Sequence, residues 1–498
     1  MKKLLFMCLA LLANFASASI IEKKTNEGQV TIEGRITDAA WNLFPEKEIK
    51  VTVNISSFSS NPTIAPITSY TLETKYNKLF KFIIPAPAER FYMTLFFDGL
   101  RGMENWQSFA NVYILEEGDE ISCELSGEFF YFSGKGSEKL QCQSEMYKHQ
   151  FTFDNTSKDL INSRQFKKHI AYINAKADSV LKIRIATVNG YSTKLPKDIL
   201  EVLLANCYGL RYFSWFWSQF LVSDDPEQVL AFLESEEFQQ APTSMISRVP
   251  PEFIIASPNY CDYLFEKIKM ESVVFDADGK VDKSPEHRKR VFQRIKTNYT
   301  GIIRDKLLTM FFLCYKKLPH TDDYMDEALG IVTKTDYRHI LLELERKYGK
   351  GIPFHPFALA DEQGKVYTLK DFESDIVILD FWYTGCINCV KLAKIMTPVV
   401  DRFKTNPYVK FVSISIDKDK TTWIKSIKEG KYTHPSSINL YAGGKGSDTG
   451  SINPLIAAYG IQGYPTVFIL NKGKMYEATP PSDNPTQMIN LIQEALSK

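Results

Sequence analysis

The chain has 498 residues, and at about 100–200 residues per domain this length favours several domains over one. Hydrophobic residues make up 44% and charged residues 24%, which is typical of a globular protein. The 60 Lys and Arg residues against 59 Asp and Glu residues leave a formal net charge of +1. Nucleic-acid-binding proteins need a surplus of positive charge, so this balance argues against that class of protein.

The start of the chain has the pattern of an export signal. Lys2 and Lys3 precede an apolar run from residue 4 to residue 13, and the small residues Ala16-Ser17-Ala18 follow it. This pattern predicts a secretory signal peptide, residues 1–18, that is cleaved after Ala18. The apolar run is shorter than the ~20 residues that a membrane-spanning helix needs. We therefore expect a periplasmic protein in a compartment that permits disulfides.

Three zones of different composition follow the signal. Residues 19–136 contain short runs rich in β-branched and aromatic residues, separated by turn residues, which predict an antiparallel β-sandwich. Residues 137–350 carry apolar residues at three- and four-residue spacing, which predicts a helical domain. Residues 351–498 alternate buried-strand and helix patterns, which predicts a mixed α/β domain with a hairpin around Gly364 and a turn at Lys472-Gly473.

Most of the cysteines are scattered along the chain. Five of them have no other cysteine close by in the sequence: Cys123, Cys142, Cys207, Cys261 and Cys314. Cys123, Cys207 and Cys314 occur within apolar strand or helix patterns, so we interpret them as small buried hydrophobic residues. A local disulfide between Cys123 and Cys142 is an alternative.

The strongest chemical signal is the pair Cys386 and Cys389, within the segment ILDFWYTGCINCVKLAKIM. The pair follows a predicted strand and begins a predicted helix. Two intervening residues in a first helical turn allow the two sulfurs to bond, and the helix N-terminus stabilises a thiolate. We therefore predict a redox-active dithiol in which Cys386 is the nucleophile and Cys389 resolves the mixed disulfide.

Two other interpretations of this pair remain. One is half of a zinc site, although no second pair of Cys or His ligands has suitable spacing. The other is an inert structural disulfide. We predict neither a metal nor any other cofactor.

The C-terminal zone resembles the thioredoxin family, and in detail the exported thiol-disulfide oxidoreductases of the TlpA/ResA type. The matching segments are FALADEQGKVYTLKDF, DFWYTGCINC and YGIQGYPTVFILNKGK, which occur in that order within residues 351–498. The resemblance implies a thioredoxin-like α/β fold. It also implies that the activity is exchange between the dithiol and substrate disulfides.

The resemblance implies roles for four further residues. Asp380 matches a buried acid that accepts the proton of the resolving thiol, since burial raises a carboxyl pKa. Pro465 matches a cis-proline that faces the dithiol, and Tyr464 before it would line the substrate surface. Trp382 matches an aromatic residue near the site, which we assign to substrate binding.

Two departures from the family pattern affect the expected chemistry. Gly385 occupies the position before the first cysteine, where a Trp is common, so that face of the site lacks a large side chain. Ile387 and Asn388 provide no cation between the cysteines, and a cation there would favour the thiolate and a more oxidising protein. We therefore expect this protein to reduce disulfides in exported proteins. A membrane electron donor would then reduce its dithiol again. The alternative function is an envelope binding protein with an accessory or vestigial thioredoxin module.

Overall fold

The computed structural model describes the chain from residue 28 to residue 497, with gaps. The described ranges are 28–37, 48–58, 67–75, 78–98, 111–126, 129–149, 154–220, 226–239, 249–275, 285–315, 324–443, 453–461 and 463–497. The predicted signal peptide and its cleavage site lie outside them. The chain divides into two compact units at residue 345, one within Lys24–Glu345 and one containing Arg346–Lys498. The predicted domain limits 19–136, 137–350 and 351–498 stay predictions.

The first unit begins with strands, as the alternation of apolar and polar residues predicts. The described strands are β1 (Gln29–Ile36), β2 (Glu48–Ser56), β3 (Thr68–Lys75), β4 (Phe80–Pro85), β5 (Arg90–Asp98), β6 (Tyr113–Glu116), β7 (Glu120–Ser126) and β8 (Phe129–Lys135). They form two four-stranded sheets, in the orders β4-β1-β7-β8 and β3-β2-β5-β6. Inward residues of both sheets, such as Val30 and Val51, belong to one hydrophobic core.

One strand pairing differs from the predicted antiparallel arrangement. β1 and β7 pair in parallel, with Ile32 opposite Ile121. Parallel neighbours need a long connection, and here the intervening chain supplies all four strands of the second sheet. The turn residues that separate strands in the sequence do not reveal which strands become neighbours.

Helices follow the strands within the same unit, and the last of them extends three residues past its limit at Glu345. They are α1 (Ser137–Tyr147), α2 (Asn155–Asn162), α3 (Phe166–Gly190), α4 (Lys197–Phe220), α5 (Pro226–Leu233), α6 (Glu236–Gln239), α7 (Pro251–Ile255), α8 (Pro258–Glu271), α9 (Pro285–Asn298), α10 (Gly301–Tyr315), α11 (Met325–Ile331) and α12 (Thr335–Tyr348). Leu140 of α1 and Val202 of α4 join the core that the two sheets share. No helix among the described residues has the length and apolar character needed to span a membrane.

The isolated cysteines of this unit, Cys123, Cys142, Cys207, Cys261 and Cys314, are not in disulfides. Four of them are buried: Cys123, Cys142, Cys207 and Cys261. Burial raises the pKa of each of these four thiols to about 12. Cys314 is partly exposed. The alternative disulfide between Cys123 and Cys142 is not formed.

The second unit is a seven-stranded mixed sheet with helices on both faces. Its strands are β9 (Ala358–Ala360), β10 (Val366–Thr368), β11 (Ile376–Trp382), β12 (Val409–Ser415), β13 (Ile438–Tyr441), β14 (Thr466–Asn471) and β15 (Lys474–Glu477), in the order β10-β9-β13-β12-β11-β14-β15. The helices are α13 (Ile387–Phe403), α14 (Lys420–Glu429), α15 (Pro454–Tyr459) and α16 (Pro485–Leu496), with a 3-10 helix at Leu369–Phe372. The mixed α/β prediction is confirmed.

β11 lies in the interior of this sheet, and its side chains alternate between two hydrophobic cores. Ile376 and Ile378 pack with residues of α13 and α16. Val377 and Leu379 pack on the opposite face with residues of α15. Because successive side chains of a strand point to opposite faces, Asp380 and Trp382 lie on the α13 face.

The close crossing of α4 and α8 gives a test of the first unit. A Cβ added at Gly209 of α4 would overlap the backbone of Asn259 at the start of α8. Backbone cannot move aside as a flexible side chain can. We therefore expect Gly209→Ala to lower the free energy of unfolding by about 2–4 kcal/mol.

Gly190→Ala is the matched control, since a Cβ at this last residue of α3 meets no atom within 4 Å. It should change stability by less than about 1 kcal/mol. Urea unfolding followed by circular dichroism measures both variants. Equal stability of the two would contradict the close crossing.

Candidate active site

The dithiol lies where β11 ends and α13 begins. β11 ends at Trp382, and Cys386 is the N-cap residue of α13. A tight turn connects them, closed by a 3.2 Å hydrogen bond from the Cys386 N–H to the Tyr383 carbonyl. Gly385 within this turn has a φ of 99°, in the left-handed region that favours glycine. This conformation accounts for glycine at the position where the resemblance expected tryptophan.

Cys386 and Cys389 form a disulfide, with their Cα atoms 5.3 Å apart. The Cys389 N–H donates a 3.0 Å hydrogen bond to Cys386 Sγ, in the manner of a helix cap. Cys386 retains 5% exposure and Cys389 1%, while Ile387 between them is 73% exposed. After reduction, the same N–H group and the helix N-terminus favour a thiolate on Cys386.

Tyr464 and Pro465 lie beside the dithiol. The Tyr464–Pro465 peptide bond is cis, and the Tyr464 carbonyl oxygen is 3.7 Å from Cys386 Sγ. The Tyr464 ring meets the Tyr383 ring edge to face, with centroids 5.6 Å apart. Burial raises the pKa of Tyr464 to about 12, so this side chain is uncharged near neutral pH.

Trp382 has a different place from the one expected. Its side chain is fully buried, its indole N–H donates a 2.7 Å hydrogen bond to Ser413 Oγ, and its ring stacks on Tyr432 at 4.9 Å. Trp382 packs in one cluster with Cys386 and Cys389. A fully buried ring cannot line a surface open to substrate, so Trp382 supports the dithiol from the interior and its assignment to substrate binding is corrected.

Asp380 is an acid within the sheet, two residues before Trp382 and on the same face of β11. Its Oδ1 is buried and has no hydrogen-bond partner among the described residues. Burial raises the pKa of this carboxyl to about 7. The group is therefore able to exchange a proton near neutral pH.

Sequence reasoning missed two groups that hold the turn before Cys386. Asp417, just beyond β12, accepts hydrogen bonds from the Thr384 N–H at 2.7 Å and the Thr384 hydroxyl at 2.9 Å. The Tyr432 hydroxyl accepts a 2.9 Å hydrogen bond from the Gly385 N–H. The only sequence signal for Asp417 was an acid that directly follows a buried strand. No group of three or more His, Cys, Asp or Glu suited to a metal occurs in the described part of the chain.

The pKa of Asp380 gives a prediction with a defined sign. The folded-state pKa, about 7, is above the ordinary value of 3.8, so the folded state holds a proton that the unfolded state has lost between these pH values. The free energy of unfolding should therefore fall as pH rises from about 4 to about 7. Asp380→Asn has no carboxyl to ionise, so its free energy of unfolding should not fall in this way. At pH 8 the variant should therefore be more stable than the wild type, by up to about 4 kcal/mol.

Hydrogen–deuterium exchange of the β11 segment in urea, at pH 4 and pH 8, measures the difference. Asp371→Asn is a control of opposite sign, because hydrogen bonds from Thr368 lower the pKa of the Asp371 carboxyl. If the difference in stability between the wild type and Asp380→Asn is the same at pH 4 and at pH 8, the burial of this acid is contradicted.

Comparison with known proteins agrees with this geometry. Residues 374–476 match the family model described as thioredoxin-like. The ResA thiol-disulfide oxidoreductase of Bacillus thuringiensis subsp. konkukian is 28% identical over 150 residues, which cover 30% of this chain and 79% of the relative. That of Bacillus cereus strain ZK / E33L is 26% identical over 167 residues, which cover 33% and 88%.

Solved structures give weaker matches. A thiol:disulfide interchange protein from Bacteroides sp. is 21% identical and covers 30% of this chain and 93% of its own, with a TM-score of 0.26. A thioredoxin-like protein from Bacteroides caccae is 17% identical and covers 55% and 95%, with a TM-score of 0.31. TM-scores this low carry no weight here. The family match and the ResA relatives identify the C-terminal part of this chain as a thioredoxin-like domain, distantly related over about 30% of the chain to ResA thiol-disulfide oxidoreductases.

Proposed function

We propose that this protein is a thiol-disulfide oxidoreductase that reduces disulfides of exported proteins. The observation that carries the proposal is the Cys386–Cys389 pair at the first turn of α13, with the Tyr464 carbonyl beside Cys386 Sγ. A disulfide that only braced the fold would not need a helix N-terminus at one sulfur and an acid able to exchange protons on the same face of the sheet.

The reaction has two exchange steps. The Cys386 thiolate attacks one sulfur of a substrate disulfide, which forms a mixed disulfide and releases the other substrate sulfur as a thiolate. Cys389 loses its proton and attacks Cys386 Sγ, which forms the Cys386–Cys389 disulfide and releases the second substrate thiolate. The substrate gains two electrons and two protons, and an external dithiol must then reduce the protein again.

Asp380 serves the second step. Cys389 reacts only as a thiolate, so its proton needs an acceptor. The Asp380 carboxyl, whose pKa is about 7, lies on the face of β11 that carries α13 and can take up this proton near neutral pH.

The surface around Cys386 favours an extended, uncharged segment of the substrate. The Tyr464 carbonyl and the exposed Ile387 side chain flank the sulfur, and Gly385 adds no side chain. A substrate disulfide that reaches Cys386 Sγ therefore contacts backbone and apolar atoms. Such contacts suit many protein substrates rather than one sequence.

The proposal that the protein acts outside the cytoplasm is supported by residues 1–18, whose pattern is that of a secretory signal. A reductant in an oxidising compartment would be oxidised by its surroundings, so it needs a source of electrons. We propose a membrane electron donor as that partner and the periplasm as the location.

Turnover of a model disulfide tests the activity. With dithiothreitol as reductant, the intact protein should accelerate reduction of insulin disulfides, and Cys386→Ser and Cys389→Ser should each lose at least about 100-fold in rate, because neither can complete both exchange steps. Cys314→Ser, at a partly exposed cysteine that is not in a disulfide, is the control and should keep the wild-type rate. Wild-type protein without any acceleration would favour a binding protein with a vestigial module.

Trapping assigns the nucleophile. Cys389→Ser should accumulate a mixed disulfide with substrate on Cys386, whereas Cys386→Ser should accumulate none, because Cys386 is the N-cap and Cys389 lies inside the first turn. Peptide mapping by mass spectrometry identifies the linked residue. An adduct mainly on Cys389 would reverse the assignment.

The absence of a cation between the cysteines predicts the direction of the reaction. We expect a reduction potential of about −200 to −300 mV, nearer to thioredoxin at about −270 mV than to DsbA at about −120 mV. Equilibration with glutathione measures it. A value above about −150 mV would indicate an oxidant instead.

A further inference from the structure

A buried carboxylate lies behind the turn that carries Cys386. Asp417 is 4% exposed and follows β12. Three donors point at its two oxygens: the Thr384 N–H, the Thr384 hydroxyl and the Ser415 hydroxyl, at 2.7, 2.9 and 2.8 Å. All three groups donate to the carboxyl oxygens, and an ionised carboxylate acts only as a hydrogen-bond acceptor.

This carboxylate forms no ion pair with any residue that the structure describes. Within the described ranges, Asp417 takes part in no ion pair, and its contacts are to hydroxyl and backbone groups. An anion that is buried without a counter-ion acts on nearby charges with little screening.

Asp417 is close to the reactive sulfur through the turn. Thr384 is two residues before Cys386, so their Cα atoms are at most about 7.6 Å apart, and the hydrogen bond that closes the turn folds them nearer. The negative charge therefore lies near the N-terminus of α13, whose partial positive charge favours the Cys386 thiolate.

We propose that Asp417 is a positioning residue that fixes the turn through Thr384, and that its negative charge keeps the Cys386–Cys389 disulfide difficult to reduce. The proposal rests on the proposed function, since it explains why this dithiol acts as a reductant. The physical reason is that a nearby anion destabilises the Cys386 thiolate, which makes the reduced state less stable relative to the disulfide.

Other titratable groups near Cys386 are the same in every variant compared below. Asp380 lies on the α13 face of β11, and the tyrosines 383, 432, 441 and 464 pack on or beside the dithiol cluster. Burial raises the pKa of Tyr441 and of Tyr464, which keeps both uncharged up to pH 8.5. Asp380 changes charge near pH 7, but it does so in all the proteins.

The test is equilibration of the intact proteins with reduced and oxidised glutathione at pH 6.0 and pH 8.5. Asp417→Asn keeps the size and most of the hydrogen bonding but removes the charge. At pH 8.5, where the thiolate is populated, its equilibrium should shift about tenfold toward the reduced dithiol, which corresponds to about 30 mV for two electrons. At pH 6.0 the shift should be smaller, because the charge acts on the thiolate and not on the thiol.

Three variants separate charge from shape. Thr384→Val removes the hydroxyl but keeps the Thr384 N–H bond and the charge, and should shift the equilibrium less than twofold at pH 8.5. Asp417→Ser also removes the charge, so it should reproduce the tenfold shift even if Asp417→Asn fails to fold. Asp371→Asn removes an exposed carboxylate of the same unit and should have no effect.

Two results would overturn the proposal. One is a neutral Asp417 variant that folds and keeps the wild-type equilibrium at pH 8.5. The other is a shift of the same size at both pH values, which would indicate altered packing rather than charge. The measurement needs no substrate protein, so a wild type that fails to reduce insulin would contradict the proposed function without deciding this equilibrium.

Discussion

The candidate active site depends on the turn from β11 to α13. The turn must end an interior strand, present Cys386 at a helix N-terminus and place Cys389 as the third residue of that helix. Three consecutive backbone donors of the turn are occupied: the N–H groups of Thr384, Gly385 and Cys386 bond to Asp417, Tyr432 and Tyr383. Because these donors are fixed by the scaffold, the N–H group that reaches Cys386 Sγ comes from the helix itself, at Cys389. The scaffold therefore determines which sulfur the helix N-terminus stabilises.

Two acids near this turn, Asp380 and Asp417, differ in the hydrogen-bond donors that surround them. Asp380 has a buried oxygen without a partner, and burial raises its pKa to about 7, so the folded protein can hold it uncharged. Asp417 is also buried but accepts three hydrogen bonds, which compensate the loss of hydration of a charge. One acid thus has a buried oxygen without a hydrogen-bond donor, and the other has donors at both of its oxygens. The difference follows from the donors that each residue meets.

Local signals in the sequence were enough to locate the dithiol and the elements that carry it. The hairpin around Gly364 and the turn at Lys472-Gly473 could be predicted, because glycine marks turns that need a positive φ. The structure has positive φ at Gly364, Lys472 and Gly473. Two features depended on contacts between distant residues. The parallel pairing of β1 with β7 joins strands that are far apart in sequence, and the Thr384–Asp417 contact joins residues 33 positions apart. Likewise, the burial of Trp382 depends on Tyr432 and Ser413, which no short motif includes.

A dithiol enzyme with other cysteines in its chain must keep them out of the exchange reaction. Exchange requires a thiolate, and a thiol whose pKa is about 12 is ionised in roughly one molecule in 10⁵ at pH 7. Cys123, Cys142, Cys207 and Cys261 are in this condition because each is buried. Cys386 is also buried, at 5% exposure, but differs from these four because it caps a helix N-terminus. The packing of the first unit and the turn of the second therefore have opposite effects on thiolate formation. Burial suppresses the thiolate at four positions, and the helix N-terminus favours it at the one where exchange is proposed.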